Sequence, residues 1–133
     1  MVRLTIAACL AATLATPALA LQPLHENKTV VEGFYNLGMA DTIRKRCDTI
    51  SPRLLTAYTY LKSLERYARD LGYTDADIDA LVDNDAEKEK LRARIARDLA
   101  ARGATPETPE GYCAVGREEI AKGSEAGKLL RAR

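Results

Sequence analysis

Tryptophan is absent from this sequence, and Phe34 and His25 are its only phenylalanine and its only histidine. Any core must therefore be assembled from Leu, Ile, Val, Ala and six tyrosines. The scarcity of histidine excludes much chemistry. A Ser–His or Cys–His dyad needs an imidazole in the folded body, and His25 stands near the start of the chain that follows the first apolar segment, where ends fray. No Cys-x-x-Cys pair is present, so a thiol oxidoreductase with a vicinal attacking and resolving pair is excluded. No Cys-x-x-Cys-His is present either, which excludes covalent c-type haem, and no Cys/His group has zinc spacing. The longest apolar run falls short of the roughly 20 residues that a bilayer-spanning helix needs.

What is present begins with a segment unlike the rest. Arg3 is the only charge in residues 1–20, Leu4 to Ala15 is a short apolar run, and Pro17-Ala18-Leu19-Ala20 closes it. A positive start, a short apolar stretch and a small-x-small ending are the parts of a secretory signal. Residues 1–20 are therefore expected to be a signal peptide cut near Ala20, and residues 21–133 a single domain. The competing reading is a buried N-terminal helix, but the polar break at Gln22-Pro23 fits cleavage better. Ile6-Ala7-Ala8-Cys9 has the look of a lipidation box, yet too little apolar chain precedes it to form an export core.

Loss of residues 1–20 would remove Arg3 from a total of 20 basic residues and leave 19 against 19 acidic ones. That balance argues against a protein built for electrostatic capture of nucleic acid or an anionic membrane. Cleavage would also remove Cys9, leaving Cys47 and Cys113. In an oxidising compartment an even count favours pairing, and two cysteines allow one intramolecular connectivity. The bond would close a long loop and stabilise by about 4 kcal/mol on the chain-entropy account. Two unrelated buried thiols are the bland alternative. Arg44-Lys45-Arg46 would lower the thiol pKa of a free Cys47, but three cations near a helix C-terminus also complement its dipole.

Strand signals are missing: no stretch alternates with period two, and no Asn-Gly or Asp-Gly joins apolar runs. Helical signals run throughout. Val30, Phe34, Leu37, Ile43, Cys47 and Ile50 predict a helix from about Lys28 to Thr49, where a close helix contact would explain Gly33 and Gly38. Ser51-Pro52 reads as an N-cap with proline at the first helical position. Leu54, Leu55, Tyr58, Leu61, Leu64, Ala68 and Leu71 then form one apolar stripe, closed by Gly72. Thr74 caps a short helix with Asp75 and Asp77 in its first turn. Asn84 starts another, striped by Leu91, Ile95 and Leu99 and ended by Gly103. After a proline-containing loop, Thr108-Pro109 starts a last helix carrying Tyr112, Cys113, Ile120, Leu129 and Leu130. The expected fold is all-α, a small bundle of about five helices, with Cys47–Cys113 joining the first and the last.

Few residues invite a site. Asp75-x-Asp77-x-Asp79 has the first three ligand positions of a calcium loop, but Ala80 and Ala86 stand where glycine and glutamate belong. On a helix, alternating aspartates would face different ways. Nineteen scattered acids give no means of choosing a catalytic pair. No catalytic, cofactor or metal residue is therefore expected, and the protein is not expected to be an enzyme. Two features could meet a protein partner. Tyr60 and Tyr67 lie off the leucine stripe of their helix, either as an exposed aromatic patch or packed on a neighbouring helix. Gly123-x-x-x-Gly127 leaves a shallow face that suits intramolecular packing or a contact between copies.

Several segments act together as a signature: Ala40-Asp41-x-Ile43-Arg44-Lys45-Arg46-Cys47-Asp48-x-Ile50-Ser51, Gly72-Tyr73-Thr74-Asp75, and Tyr112-Cys113-Ala114-Val115-Gly116 through Ser124. In these the chain resembles a family of small exported alphaproteobacterial proteins catalogued as a domain of unknown function. The resemblance covers nearly all of residues 21–133 and both cysteines. It implies export and the cysteine pair, and no activity. The expectation is thus a periplasmic or secreted helical protein that works through an unidentified protein partner, without nucleic acid or stable membrane insertion. A stress-related chaperone-like protein is the second reading. A carrier is the third, and it requires an apolar cavity of a few hundred Å³ between helices.

Overall fold

Asn27 starts the first helix. Its side-chain oxygen accepts the Val30 amide at 3.1 Å, satisfying one of the donors that a helix start leaves free, and α1 (Lys28–Arg46) follows. The computed structural model describes residues 20–133; Arg3, Cys9 and the expected signal peptide as far as Leu19 lie outside the described residues. Arg44, Lys45 and Arg46 close α1, where cations meet the negative end of the helix dipole. The helix stops short of Thr49 because Cys47 turns extended, with φ −131° and ψ 109°.

The chain then does something the sequence pattern did not announce. Ile50–Pro52 forms β1, which pairs antiparallel with β2 (Leu130–Ala132) in the register Ile50↔Ala132, Ser51↔Arg131, Pro52↔Leu130. Three-residue strands are too short to show period two, so the expectation of no strands fails on length alone. Ser51-Pro52 is correspondingly not a helix cap. The Ser51 hydroxyl is held by the Arg133 guanidinium. Pro52 sits at the strand end, and a two-stranded sheet tolerates its missing donor there. The ladder continues past it as the Arg53 amide donates to the Leu129 carbonyl at 2.8 Å. Helix α2 (Leu54–Asp70) begins from Arg53 without a side-chain cap.

The next two helix starts agree with their sequence signals. Thr74 accepts the Asp77 amide at 3.2 Å while the Asp77 carboxylate accepts the Thr74 amide at 2.8 Å, a reciprocal box opening α3 (Asp75–Val82). The Asn84 side chain accepts the Glu87 amide at 3.1 Å and opens α4 (Asp85–Ala101). The expected single last helix is two: α5 (Glu110–Lys122) and the single turn α6 (Glu125–Lys128). Gly123 divides them with φ +63°, a left-handed conformation that costs a side-chain-bearing residue about 1–2 kcal/mol. Ser124 then caps α6 by accepting the Gly127 amide at 3.0 Å. The described chain therefore has six helices, not five, and the disulfide ties the end of α1 to α5 rather than to the last helix.

Two clusters form the core. The larger lies where the second half of α1 meets α4, α5, α6 and the small sheet, around Ile43, Leu99, Val115 and Leu130. The smaller gathers Leu24, Val30, Ala68, Tyr73 and Ile78 at the other end. Helix α1 runs through both, and its two glycines are the contact points that the sequence suggested. A Cβ on Gly33 would run into the Leu64 side chain of α2, and one on Gly38 would lie 2.6 Å from the Ile95 side chain of α4. Each glycine is thus a notch that receives a branched side chain from a crossing helix.

Candidate functional site

The Cys47 and Cys113 Cα atoms stand 5.1 Å apart and the sulfurs are bonded, within the separation that the bond requires. Cys47 is buried, and the Thr49 hydroxyl lies 3.2 Å from its sulfur. Close by in sequence, a buried carboxylate joins α4 to α5. Glu119 accepts from the Arg102 guanidinium at 2.8 Å, the Lys122 ammonium at 3.3 Å and the Ser124 hydroxyl. Burial pushes its pKa up, but these three partners outweigh burial and hold it below the ordinary glutamate value. Its neighbour Glu118 shares the same Arg102 Nη2 and Lys122 Nζ, at 3.0 and 2.9 Å. A second tie crosses α1 and α4. The Tyr35 hydroxyl donates to Asp98 at 2.8 Å, and Arg94 stacks 4.0 Å above the Tyr35 ring while gripping Glu32 at 2.7 and 3.2 Å. Burial and the Asp98 bond push the Tyr35 pKa to about 12, so this phenol remains a hydrogen-bond donor. These groups are spent on holding helices together.

The sequence-predicted partner faces land elsewhere than expected. Gly123 and Gly127 do not share a helix face: Gly123 is an exposed turn residue, and Gly127 is buried so tightly that a Cβ would strike the Glu119 carbonyl. Tyr60 and Tyr67 are both half-buried. Tyr60 packs on the larger cluster and accepts an Asn36 side-chain N–H at 3.2 Å, and Tyr67 packs on the smaller one. The outward apolar residues of α2 are instead Leu54, Leu55 and Tyr58, exposed by 71%, 79% and 59%. The leucine stripe has the predicted period, but only Leu64 and Ala68 turn fully inward, and Leu71, at its predicted end, lies just past the helix and is exposed. The seating of Leu64 in the Gly33 notch and the Arg53 contacts to Leu129 and Lys128 fix the rotation of the helix. The sequence held one hint. Leu54 and Leu55 are consecutive, about 100° apart on a helix, so one narrow inward stripe cannot hold both. Arg53, Lys62 and Arg66 flank this face, with the Lys62 ammonium 5.7 Å from the Tyr58 ring centre.

A second surface feature runs between α1 and α4. It is a groove of about 500 Å³ with Gly38, Leu91 and Ile95 in its floor and Lys45, Arg46, Lys88 and Arg92 among its walls. Asp41 is its one carboxylate. The groove adjoins an almost wholly apolar hollow of about 190 Å³, which Val31, Leu81 and Val82 enclose; Phe34, Lys88 and Leu91 border both. His25, half-buried, stands at the edge of the hollow with Glu87.

Two of the three aspartates of α3 are already engaged, in different ways. Asp75 pairs with Arg69 at 2.8 Å, and Asp77 is used in the cap. Among the described residues no three His, Cys, Asp or Glu side chains are grouped as metal ligands. No described helix is long and apolar enough to cross a membrane.

A protein-family model matches residues 22–131, spanning both core clusters and both bonded cysteines. The chain belongs to DUF5333, a family of unknown function. No curated protein and no solved structure matches it. For a DUF5333 chain the surface geometry is thus the available guide to activity, and here that geometry has two parts: the outward leucines of α2 and the cation-walled groove beside α1.

Proposed function

We propose that this protein is exported to the periplasm and acts without chemistry of its own, by holding a protein partner against the first turns of α2. The observation that carries this reading is the outward position of Leu54, Leu55 and Tyr58 on a helix anchored from behind by Leu64 and Ala68. Apolar groups grouped on a fixed helix face favour contact with another surface, and tyrosine adds large area at low entropy cost. With Arg53, Lys62 and Arg66 around it, the complementary partner is a protein face that is apolar in the middle and acidic at its margin. Export is supported by the pattern of residues 1–20 and by the Cys47–Cys113 bond, since such bonds persist in oxidising compartments.

The test places a photo-crosslinking side chain at position 55 in the native host. The expected result is one stoichiometric adduct in the periplasmic fraction, lost when Leu54→Asp is added while the thermal melt is unchanged. An adduct pattern indifferent to Leu54→Asp, or a cytoplasmic protein with its first twenty residues intact, defeats the reading.

A further inference from the structure

We infer that the groove between α1 and α4 binds a free single-chain amphiphile with an anionic head, such as a long-chain carboxylate: the acyl chain in the apolar hollow, the head among Lys45, Arg46, Lys88 and Arg92. The inference uses none of the α2 residues on which the proposed function rests.

Charge is the first argument. Beyond residues 1–20 the chain carries 19 basic and 19 acidic residues, yet the groove gathers four cations against the single carboxylate of Asp41. Their present partners are weak or shared. Lys45 pairs with Asp41 at 2.6 Å, Lys88 with Asp85 at 2.8 Å and Arg92 with Glu89 at 3.5 Å, all on exposed side chains. Exposed pairs of this kind contribute little and re-form readily. Arg46 lies 5.9 Å from the Tyr112 ring and has no ion pair among the described residues. A carboxylate entering the groove would meet donors able to form charge-assisted hydrogen bonds.

The polarity changes along the groove in the way an amphiphile does. Moving along α1 from Lys45 back to Val31, the walls pass from cations to Phe34 and Leu91 and end at Leu81 and Val82. At a rise of about 1.5 Å per residue that stretch of helix spans about 21 Å; an extended chain, with bonds of about 1.5 Å at tetrahedral angles, advances about 1.25 Å per bond, so about sixteen carbons with their carboxylate cover the same distance. An acidic peptide fits less well, because the hollow offers almost no polar atom to its backbone N–H and C=O groups, and such groups are costly to bury unpaired. The combined space falls in the range of small-molecule sites.

The test titrates the oxidised protein with a dansyl-labelled undecanoic acid and displaces it with palmitate, hexadecanol or an acidic peptide. Saturable one-to-one binding is expected, with palmitate displacing the probe at much lower concentration than hexadecanol and the peptide not displacing it. Lys45→Glu combined with Arg92→Glu should weaken binding by at least about tenfold, and Val82→Asp in the hollow should do the same. All three positions are exposed, so thermal melts should stay near wild type, and Arg66→Glu on α2 should leave binding unchanged. The inference is overturned by the absence of saturable binding below the micelle concentration, or by charge-reversed protein that binds as wild type does. It is equally overturned if hexadecanol or the peptide displaces as well as palmitate. Association with vesicles of anionic phospholipid without uptake of monomeric palmitate also overturns it.

Discussion

The two ends of the molecule bury apolar residues with unequal support. Around Ile43 and Leu99 the core is cross-tied three times: by the Cys47–Cys113 bond, by Glu119 gripping Arg102 across α4 and α5, and by the β1–β2 pair that returns the C-terminus to Ile50. Around Val30, Ala68 and Ile78 no covalent tie exists among the described residues. That cluster rests on packing, with the Tyr73 hydroxyl donating to the Gln22 carbonyl at 2.7 Å to hold down the incoming chain. The outward leucines of α2 follow Arg53, next to the sheet of the cross-tied end. The difference teaches where this fold can carry unsatisfied surface: beside the part whose unfolded state is already constrained. Apolar residues that face water add nothing to stability, so stability must come from elsewhere in the same region.

Reduction is the largest way to break the contrast. Opening the Cys47–Cys113 bond releases a loop with a sequence separation of 66 residues, and about 4 kcal/mol of stability should go with it. That is much of what a small domain possesses. Thermal melts with and without reductant measure it, and superimposed curves would remove the cross-tied end as a distinct unit. Next in size is Gly127→Ala. Its Cβ would collide with the Glu119 backbone, which cannot move aside as a flexible side chain can, so a loss of about 3 kcal/mol is expected. Gly123→Ala, four residues earlier, meets no neighbour and costs only what its positive φ imposes, about 1–2 kcal/mol. Chemical denaturation of the pair separates close approach from backbone conformation; equal losses would sink the distinction.

These glycines also mark what the sequence could and could not reveal. Helix starts were legible at Thr74 and Asn84, because capping is a local hydrogen bond between near neighbours, but not at Ser124, whose cap falls inside an apolar pattern that reads as one continuous helix. The cysteine pair was legible through counting. Gly33 and Gly38 were legible as contact points, though not the residues they receive. The strands were not, since β1 and β2 exist only through pairing across the whole domain, and Ser51-Pro52 carries a helix-start signal that this long-range pairing overrides. The break at Gly123 was missed because a glycine inside an apolar pattern reads equally as a weak helix residue or as its end. For the surface, period was legible and rotation was not. Which arc of α2 turns inward depends on the notch at Gly33, a tertiary fact, and so Tyr60 and Tyr67 exchange places with Leu54, Leu55 and Tyr58.

A pH-dependent effect sharpens the account of the Glu119 tie. In the unfolded chain this carboxyl has its ordinary pKa; in the folded chain it is held lower. The unfolded state therefore binds the proton first as pH falls, and the stabilisation present above the ordinary glutamate range is lost progressively down through the lowered value. Glu119→Gln should cost about 2 kcal/mol near neutral pH by weakening the Arg102 and Lys122 bonds. It should also make the acid side of the stability curve shallower without flattening it, because Asp41 and Glu118, among others, are held low in the folded chain as well. A variant whose stability falls with acid as steeply as wild type would show that Glu119 is not among the groups whose titration sets that slope.

The smallest effect is the one that most directly tests the outward face. Leu64→Ala, in the Gly33 notch, should cost about 2–5 kcal/mol as a buried truncation does. Leu55→Asp changes a residue of the same type on the same helix, but one exposed by 79%. Surface substitutions away from caps and buried groups stay within about 0.5 kcal/mol, so its melt should overlay that of the wild type. The pair holds helix and original residue constant, and the aspartate would be the more damaging replacement if its site were buried. If Leu55→Asp proves as damaging as Leu64→Ala, α2 must bury its first turns in solution, against this same molecule or a second copy. Leu54→Asp, exposed by 71%, should leave the melt unchanged as well, and its abolition of the adduct formed from position 55 places the cost of these exposed leucines on the side of function.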